Sequence, residues 1–316
     1  VKLGLVGYGK IAPKHLEVFR ALGANVIACV NRSEAGRERA KAEGKIEKTY
    51  ARIDEMMARE KPDGVLVTAS FPQIFEVAKA VIPHGRPVLL EKPPGTSMAE
   101  LDALGALADR HQTPVMVAFN RRHYSVVERA IEDAGGPEAI HGVFVEWSED
   151  PEHALKRFSE DEVARWIFAN SLHGLDLCTH LAGAIPSPEV VAKSFGTPFR
   201  WMMALSGLSD RGALATFHST WDAPGKWRVA FTAKDKRYVF QPLESCVVLE
   251  KGQSVERRIE PSPEDQRFKP GFFAQAKRFL EAVDGGRAHA AWSLRSAAPA
   301  MALAESLTKA FSGCAR

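Results

Sequence analysis

Over the first 120 residues, short and almost unbroken apolar runs alternate with amphipathic stretches. VKLGLV (1–6), NVIACV (25–30), GVLVTAS (64–70), PVLLEKP (87–93) and PVMVAF (114–119) are rich in Val, Leu and Ile and bounded by Gly, Pro, Asn and Asp. Such runs read as strands buried on both faces. Between them HLEVFRAL, EAGRERAKAEG (ending at Gly44), FEVAKAVI and MAELDALGALADRH (98–111) place apolar residues at the helical period. Strand and helix in regular alternation predict a parallel sheet with helices on both faces, an α/β Rossmann domain.

After Asn120 the rhythm changes. YSVVERAIEDAG predicts a helix ending at Gly135-Gly136. AIHGVFVEW, EVVAKSFG, ALATFHSTW, WRVAFTA, RYVFQP and CVVLEKG then alternate apolar and polar positions. That period predicts strands of a large, mostly antiparallel open sheet with one face exposed. One apolar helix, NSLHGLDLCTHLAG (170–183), interrupts them, and two helices near 271–284 and 294–311 close the chain. The reading is a nucleotide-binding Rossmann domain over 1–120 and an α+β substrate-binding and oligomerisation domain over 121–316.

Length and composition are consistent with this. The 316 residues suffice for two cores. A net charge of +3, with Lys and Arg interleaved among Asp and Glu, offers no basic stripe for nucleic acid. No apolar run approaches the ~20 residues of a membrane span, and the chain opens on a strand rather than a signal-peptide pattern. Cys29, Cys178, Cys246 and Cys314 lack C-x-x-C spacing and read as free thiols. A soluble cytoplasmic protein is expected.

Candidate chemistry begins where the first strand ends. Gly7, Gly9 and Ala12 form G-x-G-x-x-A directly after an apolar strand and before an amphipathic helix. Gly7 permits the tight turn, Gly9 admits a pyrophosphate close to the backbone, and Ala12 lets the helix pack on the strand. The helix starting near Pro13 aims its free amides at the phosphates. A dinucleotide is therefore the expected cofactor. At the end of the second strand, where a carboxylate would bind the ribose of NAD, stand Asn31, Arg32 and Ser33. A neutral Asn does not repel a 2′-phosphate, Ser can donate to it, and Arg pairs with it through a planar fork. The expectation is NADP, with NAD possible.

Glu91-Lys92-Pro93 ends a further apolar strand. Ligands of open α/β sheets lie outside the carboxyl ends of the strands, which puts Lys92 at the cofactor crevice. There it suits the binding and deprotonation of a substrate hydroxyl. With the glycine turn, E-K-P and a mostly β second domain entered by a His-bearing helix, the chain resembles the glucose–fructose oxidoreductase / inositol dehydrogenase / rhizopine-catabolism family. The resemblance is clearest over 1–122, good at 139–183 and architectural thereafter. It implies that Lys92 touches nicotinamide and substrate, that Arg121 of Phe119-Asn120-Arg121-Arg122 faces substrate, and that His173 is the general acid/base. It further implies that Asp176, three residues on, binds substrate hydroxyls. The implied cofactor set is Gly7, Gly9, Lys10, Ile11, Asn31, Arg32, Ser33, Ala69, Ser70, Glu91 and Lys92.

Two departures stand out. The family often carries an Asp four residues before the active-site His; here that position is Ala169, with Asn170 beside it. Asn170 lies on the helical face of His173 and can bind substrate, but it brings no charge. The loop after GVLVTAS lacks the usual Asn and His and offers Ser70 to Ile74 instead. His173, Asp176 and His180 share one face, yet i to i+7 spans about 10 Å, too far for adjacent metal ligands. No metal is expected. Trp147, Arg157 and Trp166 are candidates for lining a sugar pocket or for core and surface positions.

These readings converge on an NAD(P)-dependent dehydrogenase or reductase acting on a CH–OH group of a sugar, sugar derivative or cyclitol, with Lys92 and His173 catalytic and Arg121, Asn170 and Asp176 on the substrate. The alternatives are a redox-neutral enzyme with tightly bound NAD(P), or a non-catalytic sensor of NAD(P) and sugar. The expected partners are a polyhydroxylated small molecule and further copies of the chain, as a homodimer or homotetramer, with neither nucleic acid nor membrane.

Overall fold

A computed structural model of the chain describes residues 1–195, 199–285 and 293–314, the side chains of 312–314 excepted. The chain divides into two compact units, Val1–Asn120 with Glu264–Ala298, and Arg121–Pro263 with Pro299–Arg316. Residues 264–298 thus join the first unit rather than continuing the second. The cause is an amphipathic stripe on the Phe272–Val283 helix, which buries Phe272, Ala276 and Phe279. Phe279 packs edge-on against Phe19 with ring centroids 6.0 Å apart, and Phe272 lies 4.6 Å from the ring of His15.

The first unit is built on six parallel strands: β1 (Lys2–Val6), β2 (Asn25–Val30), β3 (Lys48–Tyr50), β4 (Gly64–Val67), β5 (Val88–Leu90) and β6 (Val115–Val117). Their order is β3-β2-β1-β4-β5-β6, every pairing parallel. The order reverses direction between β1 and β4, and that switch point is where doubly wound sheets bind ligands. Leu3, Leu5, Leu66 and Leu89 fill the core between sheet and helices. The five apolar runs all form strands, and MAELDALGALADRH forms the predicted Met98–His111 helix, its N-terminus capped by the Ser97 hydroxyl.

The second unit carries eight strands: β7 (Gly142–Ser148), β8 (Glu189–Ser194), β9 (Trp201–Leu208), β10 (Leu214–Thr220), β11 (Arg228–Ala233), β12 (Lys236–Phe240), β13 (Cys246–Glu250) and β14 (Arg257–Ile259). They run β14-β13-β12-β11-β7-β10-β9-β8. All pairs are antiparallel except β7 with β10. This is the mostly antiparallel open sheet the alternation predicts. Val145, Trp147, Phe217, Phe231 and Tyr238 point to the buried face, covered by the Leu172–Ala182 helix lying across β7, β10 and β11. The other face leaves Val191, Leu208 and Leu214 exposed. Among the described residues no helix is long and apolar enough to cross a membrane. Cys29, Cys178 and Cys246 are free and buried, and burial pushes each thiol up to about 12. The Cys314 side chain, and Gly196 at the end of EVVAKSFG, lie outside the described residues.

Asp133 ties the Ser125–Asp133 helix to the sheet. Its Oδ2 accepts from Tyr238 Oη at 2.7 Å, Arg257 at 2.7 Å and Lys236 Nζ at 3.1 Å. Burial alone raises its carboxyl, but Tyr238, Arg257 and Lys236 outweigh burial and bring it from 3.8 to about 2. A depressed carboxyl contributes stability above its unfolded value, and that contribution disappears as pH falls through the folded one. Asp133→Asn is therefore expected to lose up to about 2 kcal/mol at neutral pH and to flatten the decline between about pH 5 and pH 2. Urea unfolding across that range checks this. An unchanged acid limb would refute it.

Candidate active site

The glycine turn follows from backbone geometry. Gly7 adopts φ +90°, and a Cβ there would meet the backbone N of Ala69 at 3.0 Å. Only glycine combines that left-handed conformation with so close an approach. The Thr68 hydroxyl donates to the Gly7 carbonyl and fixes the turn to the end of β4. Lys10 is exposed, and Ile11 stands at the N-cap position of the Ala12–Ala21 helix without a side-chain capping bond, with Pro13 in its first turn. Beside the turn lies a crevice of about 410 Å³. Gly7, Gly9, Asn31, Arg32, Ser33, Ala69 and Ser70 line it, with Thr68, Gln73 and Ile53 completing the wall.

Asn31, Arg32 and Ser33 divide their labour. Ser33 Oγ accepts from the Gly36 amide as the cap of the Glu34–Ala42 helix, and Ser33 donates to Asn31 Oδ1 through N–H at 3.2 Å and O–H at 3.3 Å. Arg37 donates to the carbonyls of Asn31 and Arg32, both at 3.0 Å. These bonds hold the strand end rigid. Arg32 is exposed, and no acceptor among the described residues pairs with its guanidinium. Open space, close backbone, a helix N-terminus and a spare cation suit a dinucleotide with an anionic group near Arg32.

Glu91 and Lys92 separate in role. The Glu91 carboxylate is buried, bound by His15 Nε2 at 2.8 Å and by the Lys92 amide at 3.2 Å. It anchors the segment instead of lining the crevice. The Lys92–Pro93 peptide is cis, and Lys92 is half-buried just past β5.

In the second unit His173 sits on the buried face of the Leu172–Ala182 helix. Gly174 lets that helix press on Trp147, whose ring would lie 2.6 Å from a Cβ there. The preceding turn, Ile167–Ser171, is a π turn, a device frequent at functional sites. Asp176 is 1% exposed and paired with Arg122, whose Nε reaches both carboxylate oxygens at 2.9 Å. Asp176 thus faces Arg122. Burial pushes its carboxyl up while Arg122 pulls it back.

Arg121 turns the other way, onto aromatic faces. Its guanidinium lies 4.9 Å from the Trp227 ring centroid and 5.5 Å from that of Trp147. Those two rings stack with centroids 4.3 Å apart. Burial favours the neutral form of Arg121, opposed by Tyr124, Glu244, Glu149 and Asp176. Its Nε has no hydrogen-bond partner. Arg157 is exposed, and Trp166 tilts against Phe158 at 5.3 Å.

Sequence reasoning missed Glu149. Its carboxylate follows β7 and collects the indole N–H of Trp147 at 2.7 Å, that of Trp166 at 3.3 Å, Asn170 Nδ2 at 2.8 Å and Ser171 Oγ at 3.4 Å. The signal was faint: a Glu in the acidic turn W-S-E-D-P, with two donor-only tryptophans nearby in sequence.

Comparison with known proteins agrees with the geometry of the first unit. Residues 1–119 match the GFO/IDH/MocA model, described as an oxidoreductase family with an NAD-binding Rossmann fold. Myo-inositol dehydrogenase Hyg17 of Streptomyces leeuwenhoekii is 34% identical over 119 residues, 38% of this chain and 36% of that one. Matches span from 36% to 55% of the lengths of the curated relatives. Solved structures extend the likeness over both units. UDP-N-acetylglucosamine 3-dehydrogenase GnnA of Acidithiobacillus ferrooxidans aligns with TM-score 0.82 at 16% identity, covering 100% of this chain and 99% of that one. Levoglucosan dehydrogenase, in complex with NADH and levoglucosan, gives 0.83 at 14% identity, covering 99% and 97%. At such identities the likeness is one of fold. The family match lies within the first unit, at residues 1–119, whose parallel sheet is similar to the NAD-binding Rossmann fold of that oxidoreductase family.

Proposed function

We propose that the protein is an NAD(P)-dependent oxidoreductase that moves a hydride between the nicotinamide and a carbinol or ketone carbon of a sugar, sugar derivative or cyclitol. The observation that carries this is the crevice at the carboxyl edge of a parallel sheet ordered β3-β2-β1-β4-β5-β6, walled by Gly7, Gly9 and the Asn31–Ser33 strand end. The nicotinamide, when bound, supplies the hydride acceptor or donor. Lys92 holds the reacting oxygen, and His173 takes its proton in oxidation or returns it in reduction. Arg121 and Asn170 hold neighbouring hydroxyls, and Asp176 acts through Arg122. The relatives that act on myo-inositol and levoglucosan support a polyhydroxylated substrate. The outer face of the eight-stranded sheet, with Val191, Leu208 and Leu214 exposed, serves self-association into a dimer or tetramer.

Titration of the purified protein with NADPH and NADH tests the reading. Arg32 directs the preference to NADPH, so Arg32→Ala is expected to weaken NADPH by about tenfold and leave NADH unchanged. Failure of both nucleotides to bind would refute the oxidoreductase assignment. Nucleotide that copurifies and never exchanges would replace it with redox-neutral chemistry.

A further inference from the structure

The helical segment that delivers His173, Ile167–Leu172, carries no charged side chain. Negative charge reaches it from outside, through Glu149. The donors gathered on that carboxylate include two indole N–H groups and an amide Nδ2, none of which can accept in return. An ionised carboxylate satisfies them together with no proton of its own to place. The bond from Asn170 Nδ2 to Glu149 at 2.8 Å also settles the orientation of the Asn170 amide. Its Oδ1 must then face away from Glu149. No donor among the described residues reaches that oxygen. Asn170 precedes His173 by three residues, and positions i and i+3 share a helical face.

We infer that Glu149 is the positioning residue of the His173 proton site: it locks the Asn170 amide with its carbonyl free for a hydroxyl or an imidazolium N–H, and its negative charge favours the protonated imidazole. This rests on the oxidoreductase reading for its catalytic meaning, though not for its electrostatics. Other charges bear on His173 as well. The helix packs on β7, β10 and β11. Their titratable residues Glu146, His218 and Arg228 alternate with the buried positions and so point to the opposite face of the sheet. On the inner side Arg122 and Asp176 offset one another. Arg121, with Tyr124 and Glu244 around it, lies over Trp147, the ring against which Gly174 packs, and His180 lies two turns further along the helix. Within this set Glu149 is the carboxylate bonded directly to the turn ahead of His173.

The test compares Glu149→Gln with the exchange pair Glu149→Gln/Asn170→Asp. The exchange returns a carboxylate to the helix and leaves an amide at position 149 to donate to it. The first readout is the imidazole titration of His173 by NMR, assigned by its loss in His173→Gln, on protein without nucleotide or substrate. Glu149→Gln is expected to lower the His173 midpoint by about 0.5–1 pH unit, and the exchange pair to bring it back to wild type or above. The second readout is kinetic. Glu149→Gln is expected to cut kcat by about tenfold with KM for the nucleotide unchanged, and the exchange pair to recover most of it. An unmoved His173 midpoint in folded Glu149→Gln overturns the inference. If that variant does not fold, a midpoint below wild type in the exchange pair overturns it. If the wild-type protein turns over no substrate, the oxidoreductase reading falls while the titration still decides the role of Glu149.

Discussion

Lys92→Ala is expected to lower kcat by about 10²–10⁴-fold while nucleotide affinity stays within about threefold of wild type. The asymmetry follows from how the segment is built. Glu91 is held by His15 and accepts the Lys92 amide, so the backbone past β5 keeps its place when the lysine side chain goes. The crevice residues Gly7, Gly9 and Asn31–Ser33 belong to other strand ends and do not depend on Lys92. Steady-state kinetics paired with nucleotide titration separates the two quantities. A variant with near-normal kcat would remove Lys92 from the chemistry, and a parallel loss of nucleotide affinity would make it a cofactor ligand only.

Arg122→Met should produce the largest loss of stability, about 3–5 kcal/mol, because it strands a buried carboxylate without its partner. Asp176 is nearly inaccessible and receives Arg122 through Nε on both oxygens. With the Arg122 guanidinium gone, burial is opposed by Arg121 alone, and the Asp176 carboxyl moves further above the ordinary range. A raised carboxyl favours folding below its unfolded pKa and gives that advantage up as pH rises through the folded value. The variant should therefore lose more stability than wild type as pH rises from about 4 to neutral. Pairing it with Asp176→Asn should return much of the loss. Denaturant unfolding at the two pH values provides the measurement, and a pH-independent deficit would count against a stranded charge.

The first unit was legible because its strands are buried on both faces, which leaves an apolar run that composition alone reveals. Two of its elements escaped. β3 is only Lys-Thr-Tyr, pairs with β2 alone and lies at the sheet edge, where few apolar residues are needed. The Ile53–Glu60 helix buries just Met56 and Met57 of its eight residues. In the second unit β14 is a three-residue edge strand that carries two exposed arginines and buries only Ile259. The glycine turn, E-K-P and the His173 helix are local patterns and so could be found. The links from Arg122 to Asp176 and from Glu149 to Asn170 could not. They join residues 54 and 21 positions apart, and a single sequence carries no trace of such a pairing beyond the presence of both residue types. For the same reason the H-x-x-D pattern gave no sign that Asp176 pairs with Arg122.

The return of residues 264–298 to the first unit has a bearing on how the protein is made. On the ribosome the six strands of the nucleotide-binding sheet are complete once Asn120 has been added, yet Phe19 and His15 still lack the covering that Phe279 and Phe272 provide. At elongation rates of about 5–20 residues per second, that helix emerges roughly 10–30 s later. For that interval an aromatic surface on the first helix is bare in the nascent chain and open to chaperones. Loss of the chain from Glu264 onward would, by the same logic, damage the N-terminal nucleotide fold, the part of the sequence furthest from the truncation.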